Sequence, residues 1–218
     1  MSSNFSDFFS STYTDLTGRE ATKGIVKFLN ELCQILVDFE ANPIEPPSSC
    51  VVALATNCGA SFTQSASAAL NCITDKHFLF CSICEFIEEN YKKRPGDVIK
   101  SHKNNGLKIP GLGHPSIKGE DDRVLKIIEN AGKIKVDGDR LSFMVILGKQ
   151  VDANLNIGGA AAAALLDLGF DSDSVIYFPL IARTLGWLKI HKKIKAEKDP
   201  LLPSDLFIEK HKEIFSRK

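Results

Sequence analysis

Between residues 22 and 40 the apolar side chains Ile25, Phe28, Leu29, Leu32, Ile35, Leu36 and Phe39 recur at steps of three and four. That spacing gathers them on one face of a helix. The same step returns in residues 77–91 and 121–130. Residues 139–151, apolar at Leu141, Phe143, Met144, Ile146 and Leu147, suit a helix better than a buried strand by length and neighbours. Residues 49–70 are rich in Ala, Ser and Thr and predict one buried helix or a tightly packed pair. Residues 159–168 read as an Ala/Leu helix with Gly169 as its C′ residue. A longer helix is expected over residues 174–195, with Pro179 near its start, and Ser204 reads as the N-cap of a last helix. Pro46 and Pro47 read as the stop of the first of these helices, and Arg94-Pro95-Gly96 as the stop of the third. No segment alternates with a period of two, so the fold class is all-α.

Composition narrows the function. Twenty-seven basic and 27 acidic residues cancel. Phosphate-backbone binding needs a basic excess or patch, which argues against nucleic acid as the main partner. Residues 189–198 are locally basic and read as a solvated helix end. The first 15 residues lack the charged and apolar regions of a secretory signal, and no apolar run approaches the roughly 18 residues of a membrane span. Six cysteines lie between Cys33 and Cys84, mostly in apolar segments, and read as reduced and buried. Cys81-x-x-Cys84 admits a metal or redox reading, but no second ligand pair follows, and core packing is preferred. A cytoplasmic protein with no metal is expected.

The chemistry concentrates where the backbone is least regular. The stretch IPGLGHPSIKGEDDR surrounds one imidazole, His114, with Pro110, Gly111, Gly113, Pro115 and Gly119. Glycines beside it let backbone amides approach a ligand. Arg123, at the start of the next helix, can meet a carboxylate with two parallel hydrogen bonds. In ANLNIGGAAAA, Asn154 and Asn156 precede two glycines and a helix start, whose N–H groups can face an anion. Arg183 sits in the apolar run LIARTLGW and must reach solvent or pair with an anion. Each feature has a plain structural alternative: a loop histidine, a helix cap, an internal ion pair. Together, one imidazole, two guanidinium groups and a glycine-bounded Asn would suit a small polycarboxylate.

GLGHPSIKGEDDR resembles the G-x-G-H-x-x-x-K-x-x-D-P-R signature of the citrate synthase superfamily, including the nine-residue step from His114 to Arg123. ANLNIGGAAAAALLDLGF resembles the family's N-V-D-x-x-x-G segment and the helix after it. FPLIARTLGWLKIHKK resembles its A-R-x-x-G helix. The order and spacing of all three match, and Pro115 together with the short chain looks most like the citryl-CoA lyase branch, which is similar to the citryl-CoA-cleaving module of ATP-citrate lyase.

The resemblance implies an all-α fold with a large helical domain (residues 1–77 and 158–218), a smaller inserted domain (residues 78–157) and a cleft that closes on ligand. It implies coenzyme A, as acyl-CoA substrate, against the loop Ile109, Pro110, Gly111, Leu112 and Gly113, with Lys118 near its phosphates. His114 would hydrogen-bond the oxygen at the reacting carbon, while Arg123 and Arg183 would clamp the carboxylates of oxaloacetate or citrate. His77 is the candidate for the histidine that stabilises the enol, although the family's His-Gly-Gly is here His77-Phe78-Leu79. A homodimer or larger homo-oligomer is implied, with residues 60–70 as a contact.

Two departures bear on activity. Asn156 stands where the family has its catalytic aspartate; an amide neither removes nor returns a proton, and losing a positioned acid or base costs on the order of 10²- to 10⁴-fold. Asp152 is four residues upstream and need not face the same pocket. The arginine that full synthases receive from the partner subunit has no counterpart near Leu201-Leu202-Pro203. Two functions follow: a citryl-CoA lyase-like enzyme (or the reverse condensation), and a silent paralogue that binds coenzyme A or a polycarboxylate as a regulatory or assembly subunit. A purely structural helical dimer is the blandest reading.

Overall fold

A computed structural model describes residues 5–40, 46–74, 80–114, 117, 119–134, 138–151 and 153–196. His77, Lys118, Asp152 and the helix expected after Ser204 lie outside them. Among the described residues there are eleven helices and no strand, so the all-α expectation holds. They are α1 (Phe5–Thr17), α2 (Lys23–Glu40), α3 (Pro47–Asn57), α4 (Phe62–Leu70), α5 (Phe80–Asn90) and α6 (Pro95–Asn104). After the glycine-rich loop come α7 (Asp122–Lys133), α8 (Asp139–Gln150), α9 (Ile157–Asp167), α10 (Ser172–Val175) and α11 (Tyr177–Ala196).

Three boundaries differ from the sequence reading, each because of a proline. Pro46 and Pro47 begin α3, as its N-cap and first residue, where a missing N–H costs nothing. Pro95 likewise opens α6, which the sequence reading left unassigned because Val98 and Ile99 are its only large apolar residues. The expected helix over residues 174–195 is broken between Val175 and Tyr177. The Pro179 ring would clash with the carbonyl four residues back, on Val175, where α10 ends. The polar helix α1 was also missed; its Ser and Thr residues have modest helix propensity.

The chain divides into two units, each discontinuous in sequence: residues 1–35 with 78–179, and residues 36–77 with 180–218. In the first, α9 is the central rod. It packs against α5, α7, α8 and α10, and every residue from Ala160 to Leu166 is buried. Methyl-sized side chains are what let four helices approach one axis at interior density. Its end forms the expected C-terminal motif: Gly169 has φ +95°, the Gly169 N–H reaches the Leu166 carbonyl and the Phe170 N–H reaches that of Leu165. Helix α1 adds Phe9, stacked on Phe178 at 5.9 Å, and Tyr13, whose hydroxyl donates to the Leu168 carbonyl at 3.0 Å. Asp167, at the end of α9, caps α8 by accepting from the Arg140 and Leu141 N–H groups at 3.1 and 2.9 Å.

In the second unit the Ala/Ser/Thr-rich stretch is the tightly packed pair, α3 against α4. Val52, Ala53 and Ala69 form a buried cluster with Trp187 and Ile190 of α11. Ser61 and Gln64 make a capping box at the start of α4. Thr56 forms a polar contact inside this unit: its Oγ1 lies 2.9 Å from His191 Nδ1 and 3.3 Å from Ser65 Oγ. The basic segment forms the end of α11, with Lys192, Lys193 and Lys195 exposed. On α5, Cys84 is buried and its thiol is pushed up to about 12, by burial first and then by neighbouring Cys81, Glu88 and Glu85. That keeps it protonated and inert, in keeping with core packing for Cys84; Cys81 is exposed, as is Cys58, so the expectation of buried cysteines fails at those two positions. Among the described residues no helix is long and apolar enough to cross a membrane.

Candidate functional site

The glycine loop is held by segments more than 40 residues away in sequence. The Gly113 N–H donates to the Asn154 carbonyl at 2.7 Å, and the Asn156 N–H donates to the Gly111 carbonyl at 3.0 Å. Leu112 and Leu155 form an isolated antiparallel bridge between these bonds. Gly111 (φ +83°) lies against the start of α9: a Cβ at Gly159 would stand 2.5 Å from the Gly111 carbonyl oxygen and 3.0 Å from its Cα. Both positions exclude a side chain, Gly111 by its backbone conformation as well as by contact.

Asn156 is the N-cap of α9. Its Oδ1 accepts from the Gly159 N–H at 2.9 Å, and its Nδ2 donates to the Gly113 carbonyl at 2.9 Å. His114 follows directly and is half-buried. Its Nδ1 accepts from the Ile117 N–H at 3.1 Å. A neutral ring whose Nδ1 accepts carries its proton on Nε2, which makes Nε2 a hydrogen-bond donor.

Arg123 meets a carboxylate in the forked geometry its residue type allows, and that carboxylate is Asp121 of its own chain: Nε to Oδ1 at 2.8 Å and Nη2 to Oδ2 at 2.6 Å. Asp121 also caps α7 by accepting from the Arg123 N–H at 3.0 Å. Burial by itself would raise the Asp121 carboxyl; the Arg123 hydrogen bonds, the Arg123 charge and the His114 charge outweigh it, and the pKa is lowered. A lowered folded-state pKa contributes stability above the unfolded value that is lost as pH falls through the folded one. Asp121→Asn is therefore expected to lower the melting temperature near neutral pH. The gap to wild type should close as the pH drops below the ordinary carboxylate range, about 4. Parallel thermal scans at several pH values check this, and a gap independent of pH would refute it.

A cavity of about 860 Å³ opens beside the loop, within the first unit. Ile109, Leu112, Gly113 and His114 line one wall; Ile99 and Leu107 add apolar surface. Lys103, at the end of α6, and Lys108 supply cations, joined by His102. The His102 ring is fixed locally, its Nδ1 3.0 Å from the Val98 carbonyl and its plane edge-on to Phe86. The structure thus brings Ile109, Leu112, Gly113, His114 and Asn156 into one constellation, while Gly111 serves the contact with α9. Arg183 belongs to the second unit, buried in α11, where its Nη1 donates to Ser48 Oγ at 2.8 Å.

Sequence reasoning missed Lys103, Lys108 and Asp121. The signal for the lysines was present, a run of cations just before the glycine loop, but nothing local tied α6 to that loop. Asp121 was visible only as an acidic neighbour of Arg123, without a cap to serve until the start of α7 was known.

Solved structures resemble this architecture. Citryl-CoA lyase from Hydrogenobacter thermophilus superposes with a TM-score of 0.77 and 24% identity, over 89% of this chain and 78% of that one. ATP citrate lyase from Methanosaeta concilii, in complex with (3S)-citryl-CoA, gives 0.69 and 17%, over 82% of this chain and 32% of that one. Citrate synthase from Thermoplasma acidophilum, in a ternary complex with carboxymethyl coenzyme A and oxaloacetate, gives 0.66 and 20%, over 92% and 55%. The chain thus spans only 32% and 55% of the latter two. No family model and no curated protein matches the sequence. The chain has the citrate synthase-like helical fold, as the three motifs implied.

Proposed function

We propose that the chain is a citryl-CoA lyase-like protein that binds an acyl-CoA in the cavity beside the glycine loop. The observation that carries this is the meeting of Ile109, Leu112, Gly113, His114, Lys103 and Lys108 around one cavity. Apolar walls suit an adenine and a pantetheine arm, and two lysines suit phosphates. The complexes of the similar structures with citryl-CoA and carboxymethyl coenzyme A support the same ligand class.

In the cleavage direction the carbon–carbon bond beside the hydroxyl-bearing carbon breaks. The hydroxyl proton leaves as that oxygen becomes a carbonyl, and the bond's electron pair passes to the carbon next to the thioester, which then takes up a proton. A positioned Nε2–H on His114 stabilises the oxygen while it is an alkoxide. Arg123 and Arg183 are proposed as carboxylate partners, His77 as the enol-stabilising group and Lys118 as a phosphate contact, on their motif positions. The reading also keeps the two-domain division around residues 78–157 and a cytoplasmic homodimer.

Incubation of the protein with citryl-CoA tests the reading directly: acetyl-CoA and oxaloacetate are expected, and none above background from folded protein removes the lyase. Asn156 favours a second reading, a binder without turnover, because both ends of its amide are engaged in structure. Coenzyme A binding by calorimetry without cleavage selects that reading; no binding removes both.

Charge reversal of the cavity cations gives a quantitative check. The double variant Lys103→Glu with Lys108→Glu is expected to weaken coenzyme A binding at least tenfold, about 1.4 kcal/mol, with a larger effect at low salt. Lys126→Glu, exposed on α7, is the control and should change affinity little.

A further inference from the structure

Asn156 does a job that a carboxylate cannot do. Only one orientation of its amide serves both neighbours: the oxygen must face the Gly159 N–H, so the nitrogen faces the Gly113 carbonyl, each at 2.9 Å. An ionised carboxylate is acceptor-only. It would keep the cap on α9 and place a charged oxygen against the Gly113 carbonyl. That carbonyl belongs to the peptide plane leading into His114, and the same glycine already donates to the Asn154 carbonyl at 2.7 Å. The Asn156 backbone adds a third tie through the Gly111 carbonyl.

We infer that Asn156 is a positioning residue: its amide is the strut between the start of α9 and the Gly111–Gly113 loop, and it sets where the His114 ring stands. An aspartate here loosens the site and does not restore it. The binding arm of the test rests on the acyl-CoA reading above; the loop arm does not.

The experiment compares wild type, Asn156→Asp and Asn156→Ala by amide hydrogen exchange at Gly113 and by calorimetry with coenzyme A, between about pH 8 and about pH 3, across the ordinary carboxylate range. At neutral pH the Asp variant is expected to exchange Gly113 at least tenfold faster than wild type and to bind coenzyme A about tenfold more weakly. Both ratios to wild type should narrow as the pH falls, because a protonated carboxyl regains a donor. The Ala variant lacks donor and acceptor and should show ratios that do not narrow. Wild-type protection of Gly113 in the Asp variant at neutral pH overturns the strut, whether or not coenzyme A binds. So does a gain in citryl-CoA turnover from Asn156→Asp, which would make the amide a lost catalytic acid. Failure of wild type to bind coenzyme A with the exchange result intact overturns the ligand reading and leaves the strut established.

Discussion

Adding one methyl group at Gly159 is expected to release the glycine loop from α9, whereas the same change at Gly158 is expected to be nearly silent. A Cβ at Gly159 would stand 2.5 Å from the Gly111 carbonyl oxygen and 2.8 Å from Leu155 Cδ1. The oxygen is backbone and accepts from the Asn156 N–H, so it cannot step aside without losing that bond. A Cβ at Gly158 would approach Asn156 Oδ1 and Ile83 Cδ1 no closer than 3.3 Å, distances that small shifts relieve. Alanine is also the better helix former by up to about 1 kcal/mol, which favours both variants equally. Overpacking costs roughly 1–3 kcal/mol and a broken buried hydrogen bond adds a further 1–3. Gly159→Ala should therefore lose about 1–5 kcal/mol, or roughly 2–20 °C in melting temperature for a chain of this size. Thermal denaturation of the two variants side by side decides it: equal melting temperatures would mean that the close approach of Gly111 to α9 is not what holds the loop.

Replacing His114 is expected to have the largest effect on chemistry. With Nδ1 accepting from the Ile117 N–H, Nε2 is the donor that a developing alkoxide would meet. Removing one such positioned donor costs about 10²- to 10³-fold in turnover. His114→Ala should lower kcat for citryl-CoA by that factor and shift KM only a few-fold, because the cavity walls and the two lysines remain. His114→Gln keeps an N–H on a side chain of similar reach and should recover part of the loss. Coenzyme A affinity within about threefold of wild type would separate this from general damage. An unchanged kcat in the Ala variant, with the fold intact, would remove His114 from the reaction.

Helices α2 and α7 were legible because their apolar faces repeat within their own length, α8 by its length and neighbours, and α9 by its Ala/Leu composition. The glycine loop and the His114–Arg123 step were legible because they are local strings. Prolines were legible as punctuation but ambiguous in direction. Pro47 and Pro95 start helices that the sequence reading took as ends, since a missing N–H is harmless in a first turn and the string does not say which turn follows. His77 and Lys118 remain proposals from motif alone. Arg183 stands otherwise: its burial beside Ser48 became visible only with α3 and α11 placed.

From the amino-acid order alone came the helical class, because an apolar period of three to four residues is a property of each segment by itself. The roles at the site came from elsewhere. That Asn156 braces a carbonyl 43 residues away and that Lys103 and Lys108 line one cavity with His114 were decided by tertiary structure, whereas the fork of Arg123 on Asp121 is a local contact at the start of α7. The physical reason is that a hydrogen bond or a cavity needs two partners, and periodicity reveals the face a helix offers but not the group that meets it.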